Sequence, residues 1–321
     1  MKAARETVIE GADSAFVVTQ RRLVADNVVE LTLQRVDRGE LPAWKAGAHI
    51  DVALSSGVTR QYSLHGDPDD RKSWIISVLR EESGRGGSLH LHDQVVAGSM
   101  VQVTALRNNF PLVAAARYIF IAGGIGITPL IPMVQAASAS GAEWTLYYGG
   151  RNRASMAHLD VLESLGDCVV AWPQDEKGLL ELATILDAPG QAMVYCCGPE
   201  PLLKALDRAS ADWPSGSIRT ERFVAAHVED EVLSAFEVEL TESGTTYEIP
   251  ADKSIMQVLE EAGMTLSKSC GEGTCGSCEI EVLAGIPLHR DSVLSEEERE
   301  ANETMMICVS RAVTDRLELE L

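Results

Sequence analysis

The sequence has few basic residues, few aromatic ones and no long uninterrupted apolar run. Its 321 residues include 27 Lys and Arg against 48 Asp and Glu, for a formal net charge of −21. Nucleic acid is excluded as a partner, because phosphate binding requires a basic face. The longest apolar stretch, 118–137, is interrupted by three glycines and two prolines. It therefore predicts a strand, a loop and a helix, and no membrane partner is expected.

Two further features of secreted proteins are missing. The N-terminal residues contain no apolar run of the kind that forms a signal peptide. Seven cysteines are an odd number, so they form no even disulfide framework. We expect a cytoplasmic protein and a monomer, whose 321 residues and 45% hydrophobic content suffice for two or three domains.

Four cysteines near the C-terminus have an informative spacing. Cys270, Cys275 and Cys278 follow the pattern C-x4-C-x2-C, and Cys308 follows after 29 residues. This is the spacing of a plant-type [2Fe-2S] ferredoxin. A structural zinc site is the alternative, but zinc ribbons usually combine two C-x2-C pairs and only one is present. A Rieske centre would need C-x-H and C-x-x-H pairs, which the sequence lacks.

The pattern of apolar residues changes twice along the chain. Short β-branched runs between Gly, Pro and Asp turns predict an antiparallel β-barrel over 1–112. Apolar runs alternating with helical stretches predict an α/β domain with a parallel sheet over 113–226. A polar, acidic linker over 227–234 is then expected to precede the cysteine domain, 235–321.

Two strand ends in the α/β region carry glycine. An apolar strand leads into Gly123, Gly124 and Gly126, and Pro129 marks the start of the next helix. A turn of this kind can bring backbone N–H groups to a pyrophosphate, although it is not the G-x-G-x-x-G fingerprint and also suits an ordinary βα connection. The second strand end, Cys197-Gly198-Pro199, would lie at the same edge of the sheet.

Two segments of the barrel region could meet an anion. Arg60 and Tyr62 share one face of a predicted strand, while Gln61 and Ser63 share the other. Farther along, 86–88 reads Gly-Gly-Ser before a helical stretch and offers amide N–H groups and a hydroxyl. Each segment alone is also compatible with a plain surface strand or turn.

Taken in order, these motifs resemble the phthalate dioxygenase reductase family, the reductase components of Rieske oxygenases. The reductases of vanillate demethylase and carnitine monooxygenase are similar. The resemblance covers nearly the whole chain and implies a flavin β-barrel domain, a nucleotide-binding α/β domain and a C-terminal α+β ferredoxin domain of β-grasp-like fold. Its cofactors are FMN and a [2Fe-2S] cluster, with NADH as the substrate.

The resemblance also implies roles for individual residues. Tyr62 and Ser63 would line the flavin ring, Arg60 would lie near the phosphate end, and the role of Gln61 is open. The FMN phosphate would be held by Gly86, Gly87 and Ser88. The nucleotide would be approached by Gly123, Gly124 and Gly126 and bordered by Cys197, Gly198 and Pro199. Thr128, Cys197 and Phe223 would position flavin and nicotinamide, without any acid–base residue. The cluster ligands would be Cys270, Cys275, Cys278 and Cys308.

We therefore predict an NADH-dependent oxidoreductase that passes electrons through FMN and the cluster to a separate Rieske-type oxygenase component. A flavin is needed because hydride carries two electrons and the cluster accepts one. Two alternatives are a reductase for a cytochrome P450 or a small redox carrier, and a non-enzymatic ferredoxin carrier. Arg151 and Arg153 follow a strand and could instead meet the 2′-phosphate of NADPH.

The negative charge is concentrated in one part of the chain. Residues 230–321 contain 21 Asp and Glu against 6 Lys and Arg, which gives −15 of the total. This acidity either serves solubility or forms a docking surface for a basic protein partner. Glu296, Glu297 and Glu298 after Ser295 predict the solvated start of an N-capped helix.

Other reactive side chains do not suggest a site. His90 and His92 have no cysteine or carboxylate at metal-ligand spacing, so we expect surface histidines. Cys168 and Cys196 have no partner in the pattern, and we expect both to be small core residues.

Overall fold

The computed structural model describes residues 6–8, 14–54, 58–82, 84, 86–223 and 234–321. The chain divides into two compact units, Met1–Glu221 and Arg222–Leu321. Most of the predicted linker, 227–233, lies outside the described residues. Within the described ranges, no helix is both long and apolar enough to cross a bilayer.

The first unit begins with an antiparallel barrel. Its strands are hydrogen-bonded in the order β5-β4-β7-β2-β3-β6, with β1 added alongside β7. A bridge between Leu64 and Ile76 joins the two ends of this order, so the sheet closes. Phe16 and Trp74 stack inside, with ring centroids 5.3 Å apart. The elements are β1 (Glu6–Val8), β2 (Ala15–Ala25), β3 (Val28–Arg35), β4 (His49–Ala53), β5 (Thr59–Ser63), β6 (Trp74–Leu79), α1 (Gly87–Asp93) and β7 (Met100–Arg107).

A five-stranded parallel sheet completes the first unit. The strand order is β10-β9-β8-β11-β12. Both faces are buried, because Phe120 and Ala122 of β8 belong to one core cluster while Ile119 and Ile121 belong to another. A parallel sheet covered on both faces explains the continuous apolar runs in the sequence. The elements are β8 (Arg117–Gly123), α2 (Leu130–Ser140), β9 (Glu143–Gly150), α3 (Leu159–Glu163), β10 (Val169–Pro173), α4 (Gln174–Lys177), α5 (Leu182–Ile185), β11 (Met193–Cys197), α6 (Glu200–Ala209) and β12 (Ile218–Glu221).

The second unit contains a five-stranded mixed sheet in the order β14-β13-β19-β15-β17. In β13, Phe236, Val238 and Leu240 are buried while the intervening glutamates are not, which is the alternation of a half-buried strand. Ser254 caps the helix that follows the first hairpin by accepting a hydrogen bond from the Gln257 backbone N–H. The elements are β13 (Phe236–Leu240), β14 (Thr245–Ile249), α7 (Ile255–Glu261), β15 (Glu279–Ala284), β16 (Pro287–Leu288), α8 (Glu296–Ala301), β17 (Thr304–Met306), β18 (Arg311–Ala312) and β19 (Arg316–Leu319).

Candidate electron-transfer sites

The order of the parallel strands creates a crevice at one edge of the sheet. From β8 the chain runs outward through β9 to β10, and it then returns to the other side of β8 for β11 and β12. The two carboxyl ends at this reversal are Gly123 of β8 and Cys197 of β11, and these two strands are hydrogen-bonded neighbours. In open α/β sheets, ligands bind at the point where the strand order reverses. Both predicted nucleotide motifs therefore flank one crevice.

Gly126 allows the two strand ends to approach closely. It lies in a 3₁₀ turn, Gly124–Ile127, that directly follows β8. A Cβ atom at this position would lie 2.2 Å from the carbonyl oxygen of Cys197 and 2.8 Å from the backbone nitrogen of Gly198. Only glycine fits between two stretches of backbone at this distance. The sequence identified this turn as a nucleotide motif, and the fold shows that its last glycine is a packing requirement.

Cys197 lies beside an acidic residue at the same edge. β11 pairs with β12 so that Cys197 is opposite Glu221, and the thiol Sγ lies 3.9 Å from Glu221 Oε2. Removal from water raises the pKa of the Cys197 thiol well above its ordinary value and raises the pKa of Glu221 from 4.5 to about 8. The thiol is therefore neutral near pH 7, and most of the Glu221 carboxyl is protonated. Neither group adds a full negative charge beside the crevice.

The flavin motifs of the barrel come together in space. Arg60 on β5 packs against Gly87 at the start of α1, where a Cβ atom would lie 2.7 Å from Arg60 Cγ. Gly86, which precedes the helix, has a left-handed backbone with φ of 84°. The Ser88 hydroxyl accepts a hydrogen bond from the Glu81 backbone N–H at 3.1 Å. A cation, the backbone amides at the start of a helix and a missing side chain thus meet in one place, which fits the phosphate of FMN.

The other residues of β5 are divided between the two faces of the strand. Tyr62 packs against the barrel core, and burial raises the pKa of its hydroxyl. Gln61 on the other face donates to Asp51 Oδ1 at 3.1 Å. Asp51 also forms a buried ion pair with Arg107. Gln61 thus has a structural partner within the barrel.

His49 is a residue that sequence reasoning missed. It lies opposite Ser63 in the β4–β5 pairing. The His49 side chain is 4% exposed, and neither of its ring nitrogens has a hydrogen-bond partner among the described residues; the Ser63 hydroxyl has none either. Burial lowers the pKa of His49 to about 4, so the ring is neutral. Orphaned polar atoms beside a predicted flavin residue fit a bound polar group. A lone histidine in a β-strand gives no such signal in sequence.

Two residues predicted to lie at the flavin have different surroundings. Thr128 is 2% exposed, and its hydroxyl donates to the Ile125 carbonyl oxygen at 3.0 Å, within its own turn. Phe223 is 42% exposed and belongs to the second unit. Its contact with the flavin ring stays a prediction.

Of the two arginines that could bind a 2′-phosphate, Arg153 already forms ion pairs with two glutamates. Arg153 contacts Glu163 at 2.9 Å and Glu176 at 3.1 Å. Two carboxylates neutralise its charge, so it is a poor phosphate ligand. Arg151 is exposed at the end of β9.

The four predicted cluster ligands are buried in the second unit. Cys270, Cys275, Cys278 and Cys308 are between 1% and 9% exposed. Among the described residues, no two of the seven cysteines are joined by a disulfide. Of the other three, Cys196 is buried as predicted, whereas Cys168 is exposed and the prediction of a core position was wrong. Cys168 directly precedes β10, an edge strand of the sheet whose first two residues are only partly buried.

The loop around Cys270 is shaped for a cluster. The backbone N–H groups of Glu272 and Thr274 donate to Cys270 Sγ at 3.3 and 3.4 Å. Hydrogen bonds from the Cys275 thiol and from Thr274 lower the pKa of Cys270 to about 5 against the effect of burial. Such donors favour a thiolate, which is the form that binds iron.

Gly273 fixes the path of the same loop. Its φ is 69°, and a Cβ atom would lie 2.5 Å from Val309 Cγ2 and 3.1 Å from Asp291 Cα. A larger residue would displace the loop from the segment that carries Cys308. The residues present therefore fit a [2Fe-2S] cluster in both chemistry and shape.

Comparison with known proteins matches one family to part of each compact unit. Residues 120–208 match the oxidoreductase NAD-binding domain, and residues 238–313 match the 2Fe-2S iron-sulfur cluster binding domain. The chain is 43% identical over 300 residues to phenoxybenzoate dioxygenase subunit beta of Ectopseudomonas oleovorans, covering 92% of this chain and 94% of that protein. The solved structure of phthalate dioxygenase reductase is 34% identical, has a TM-score of 0.69 and matches 96% of this chain and 97% of that one.

This chain belongs to the phthalate dioxygenase reductase family. The three-part fold predicted from the sequence is confirmed. The protein is an oxidoreductase that passes electrons from NADH to an oxygenase component, and its cofactors are FMN and a [2Fe-2S] cluster.

A reductase of this family can also form part of a longer chain. A type IV self-sufficient cytochrome P450 monooxygenase is 40% identical to this chain with a TM-score of 0.89. The match covers 96% of this chain and 41% of that one.

Proposed function

We propose that this reductase delivers electrons to a separate Rieske-type oxygenase, and that it does so as a cytoplasmic monomer. One observation carries the proposal: the relative named phenoxybenzoate dioxygenase subunit beta is matched over 94% of its own length. That relative is a reductase-sized subunit of a dioxygenase. The present sequence has no pair of C-x-H and C-x-x-H motifs for a Rieske centre of its own.

The FMN site is proposed to lie between β5 and the start of α1. Arg60 would neutralise the phosphate, and the amides of Gly86, Gly87 and Ser88 would donate to its oxygens. Tyr62 would pack on the flavin ring, and Ser63 would donate to the ring edge. When bound, FMN accepts a hydride and passes electrons on one at a time.

The NADH site is proposed to lie in the crevice at the strand reversal. The turn containing Gly123, Gly124 and Gly126 would approach the pyrophosphate, while 197–199 would border the nicotinamide. Thr128 and Cys197 would position the nicotinamide and the flavin without donating or accepting a proton. A neutral thiol there adds no negative charge beside the nicotinamide ring.

The cluster is proposed to be held by Cys270, Cys275, Cys278 and Cys308 in the second unit. The N–H groups around Cys270 would stabilise negative charge on its sulfur, which makes reduction of the cluster easier. The first unit therefore handles the hydride, and the second handles single electrons.

A cytochrome P450 is a second candidate acceptor. It is favoured by the TM-score of 0.89 to a chain that is named as a self-sufficient P450 monooxygenase. The similarity concerns only the reductase part of that longer chain, so it supports a related electron donor and does not identify the acceptor.

The two acceptors can be compared directly. The purified reductase with NADH would be mixed anaerobically with a Rieske-type oxygenase or with a P450, each followed by its own spectral change. We expect kcat/KM for the Rieske oxygenase to exceed that for the P450 by at least tenfold. A preference for the P450 would overturn the Rieske assignment. A Cys275→Ser variant serves as the control, since it should transfer to neither.

A further inference from the structure

The barrel and the parallel sheet of the first unit meet at a polar cluster of Glu30, His65, Ser77 and His158. Glu30 on β3 and Ser77 on β6 are direct partners in the antiparallel ladder. His65 follows β5 and is held by a hydrogen bond from its backbone N–H to the Ile75 carbonyl oxygen at 3.2 Å. His158 comes from the other half of the unit, immediately before α3. Both halves therefore contribute ligand-type side chains to one place.

The imidazole rings of His65 and His158 both contact the Ser77 hydroxyl through Nε2. Ser77 Oγ lies 2.9 Å from His65 Nε2 and 3.0 Å from His158 Nε2. The two ring centroids are 4.8 Å apart. Glu30 Oε2 lies 3.9 Å from His158 Nδ1, which is too long for a hydrogen bond. One potential ligand atom each from Glu30, His65 and His158 lie within 4.8 Å of one another.

The backbone at His158 is adapted to this arrangement. It has φ of 61°, the left-handed region that non-glycine residues seldom adopt. His158 occupies the N-cap position of α3, but its side chain makes no capping hydrogen bond. The imidazole is directed to the barrel instead. Close by, the Asp26 backbone N–H donates to the Ala154 carbonyl oxygen at 2.8 Å, which ties the two halves together.

We propose that Glu30, His65 and His158 bind one zinc ion that joins the flavin barrel to the nucleotide-binding sheet. Two imidazole nitrogens and one carboxylate oxygen are a ligand set that zinc accepts. Zinc bonds of about 2.0–2.2 Å place ligand atoms roughly 3.4 Å apart, so the three side chains would close in by about 1 Å or slightly more. The Ser77 hydroxyl would give up its central position to the ion. A ligand set rich in nitrogen disfavours Mg²⁺ and Ca²⁺.

Arg22 modulates this site. Its guanidinium holds Glu30 Oε1 through Nε at 2.9 Å and Nη2 at 2.6 Å, which leaves Oε2 on the side of His158. The positive charge opposes a bound cation. The Arg22 side chain is 63% exposed, so it can move away as the ion binds. Removing this charge should therefore strengthen zinc binding.

The test is equilibrium dialysis of the protein with its FMN and cluster bound against zinc chloride, followed by metal analysis. Wild type should bind one zinc per chain without losing iron, and excess Mg²⁺ should not displace it. His65→Ala and His158→Ala should each weaken zinc binding at least tenfold. His90→Ala is the matched control, because His90 lies on α1 outside the cluster and should leave zinc binding unchanged.

Two further variants protect the test against a folding defect. Glu30→Gln keeps a hydrogen-bond acceptor for Arg22 but should weaken zinc binding several-fold. Arg22→Gln should strengthen it several-fold, an effect that general damage to the fold would not produce. The proposal is wrong if wild type binds no zinc, or if the histidine variants and the His90 control bind it equally well. It is also wrong if Arg22→Gln binds zinc more weakly than wild type.

Discussion

Replacement of Gly126 by alanine tests whether the approach of the two strand ends builds the nucleotide site. The added Cβ would lie 2.2 Å from the Cys197 carbonyl oxygen, whereas ordinary contact begins at 3.4 Å. The obstructing atoms are backbone, so the two turns must move apart by about 1.2 Å, the difference between these distances. Overpacking of this kind costs roughly 1–3 kcal/mol of folding free energy.

The larger effect should be on hydride transfer. A misplacement of about 1 Å can reduce the rate of an enzymatic step by roughly 100-fold. We therefore expect flavin reduction by NADH, followed by stopped-flow absorbance, to slow by about 10- to 100-fold in Gly126→Ala. Chemical reduction of the cluster with dithionite should be unchanged, because the cluster cysteines lie in the second unit.

Gly39→Ala is a suitable control for this variant. Its Cβ would lie 3.0 Å from the guanidinium carbon of Arg35, a side-chain atom that needs to shift by only a few tenths of an ångström. Because Gly39 lies in the barrel half of the first unit and not at the strand reversal, we expect a wild-type rate of flavin reduction in this control. If Gly126→Ala reduces its flavin as fast as wild type, the close approach at the strand reversal is irrelevant to the nucleotide site.

Three other outcomes are expected. Cys275→Ser should abolish the cluster signal in electron paramagnetic resonance while NADH still bleaches the flavin, and loss of both in a folded variant would contradict the separation of the two sites. The raised pKa of Glu221 means that the folded first unit binds this proton more tightly than the unfolded chain does, so this contribution to its stability, about 4 kcal/mol, should be lost as pH rises from 4.5 to about 8. Glu221→Gln should flatten that part of the pH–stability curve, and an unchanged slope would count against this account. Electron transfer to the oxygenase should slow as the salt concentration rises, because salt screens the negative charge of 230–321 over about 8 Å at physiological ionic strength. Flavin reduction by NADH should change little and serves as the control. A transfer rate that does not depend on salt would mean that the acidity serves solubility alone.

The structure refines which acidic residues can test docking. Glu296 and Glu297 are exposed in the first turn of α8. Glu298 is engaged in a capping box, since its Oε2 accepts from the Ser295 backbone N–H at 2.9 Å. The predicted N-capped helix is confirmed. Neutralising Glu298 would mix loss of charge with loss of the cap, so the informative variant changes Glu296 and Glu297 only.

Features that depend on local spacing can be predicted from the amino-acid sequence. The cysteine pattern predicts a cluster domain because the ligands come from one loop and one nearby segment. Continuous apolar runs indicate a parallel sheet because such strands are buried on both faces. The motif order, together with the resemblance it carries, was sufficient for the family and its cofactors.

Which distant residues meet depends on how the strands and domains of the folded chain pack. Strand order places the glycine turn after β8 next to Cys197, and a sequence does not contain strand order. His49 is a candidate flavin-site residue only because the fold buries it opposite Ser63. Glu30, His65 and His158 come together only because the barrel packs on the parallel sheet. For the same reason these histidines give no signal in the sequence, since His65 and His158 are 93 positions apart. A metal site can be predicted from the spacing of its ligands when one local segment carries most of them. It cannot be predicted in this way when the ligands come from two domains that pack together.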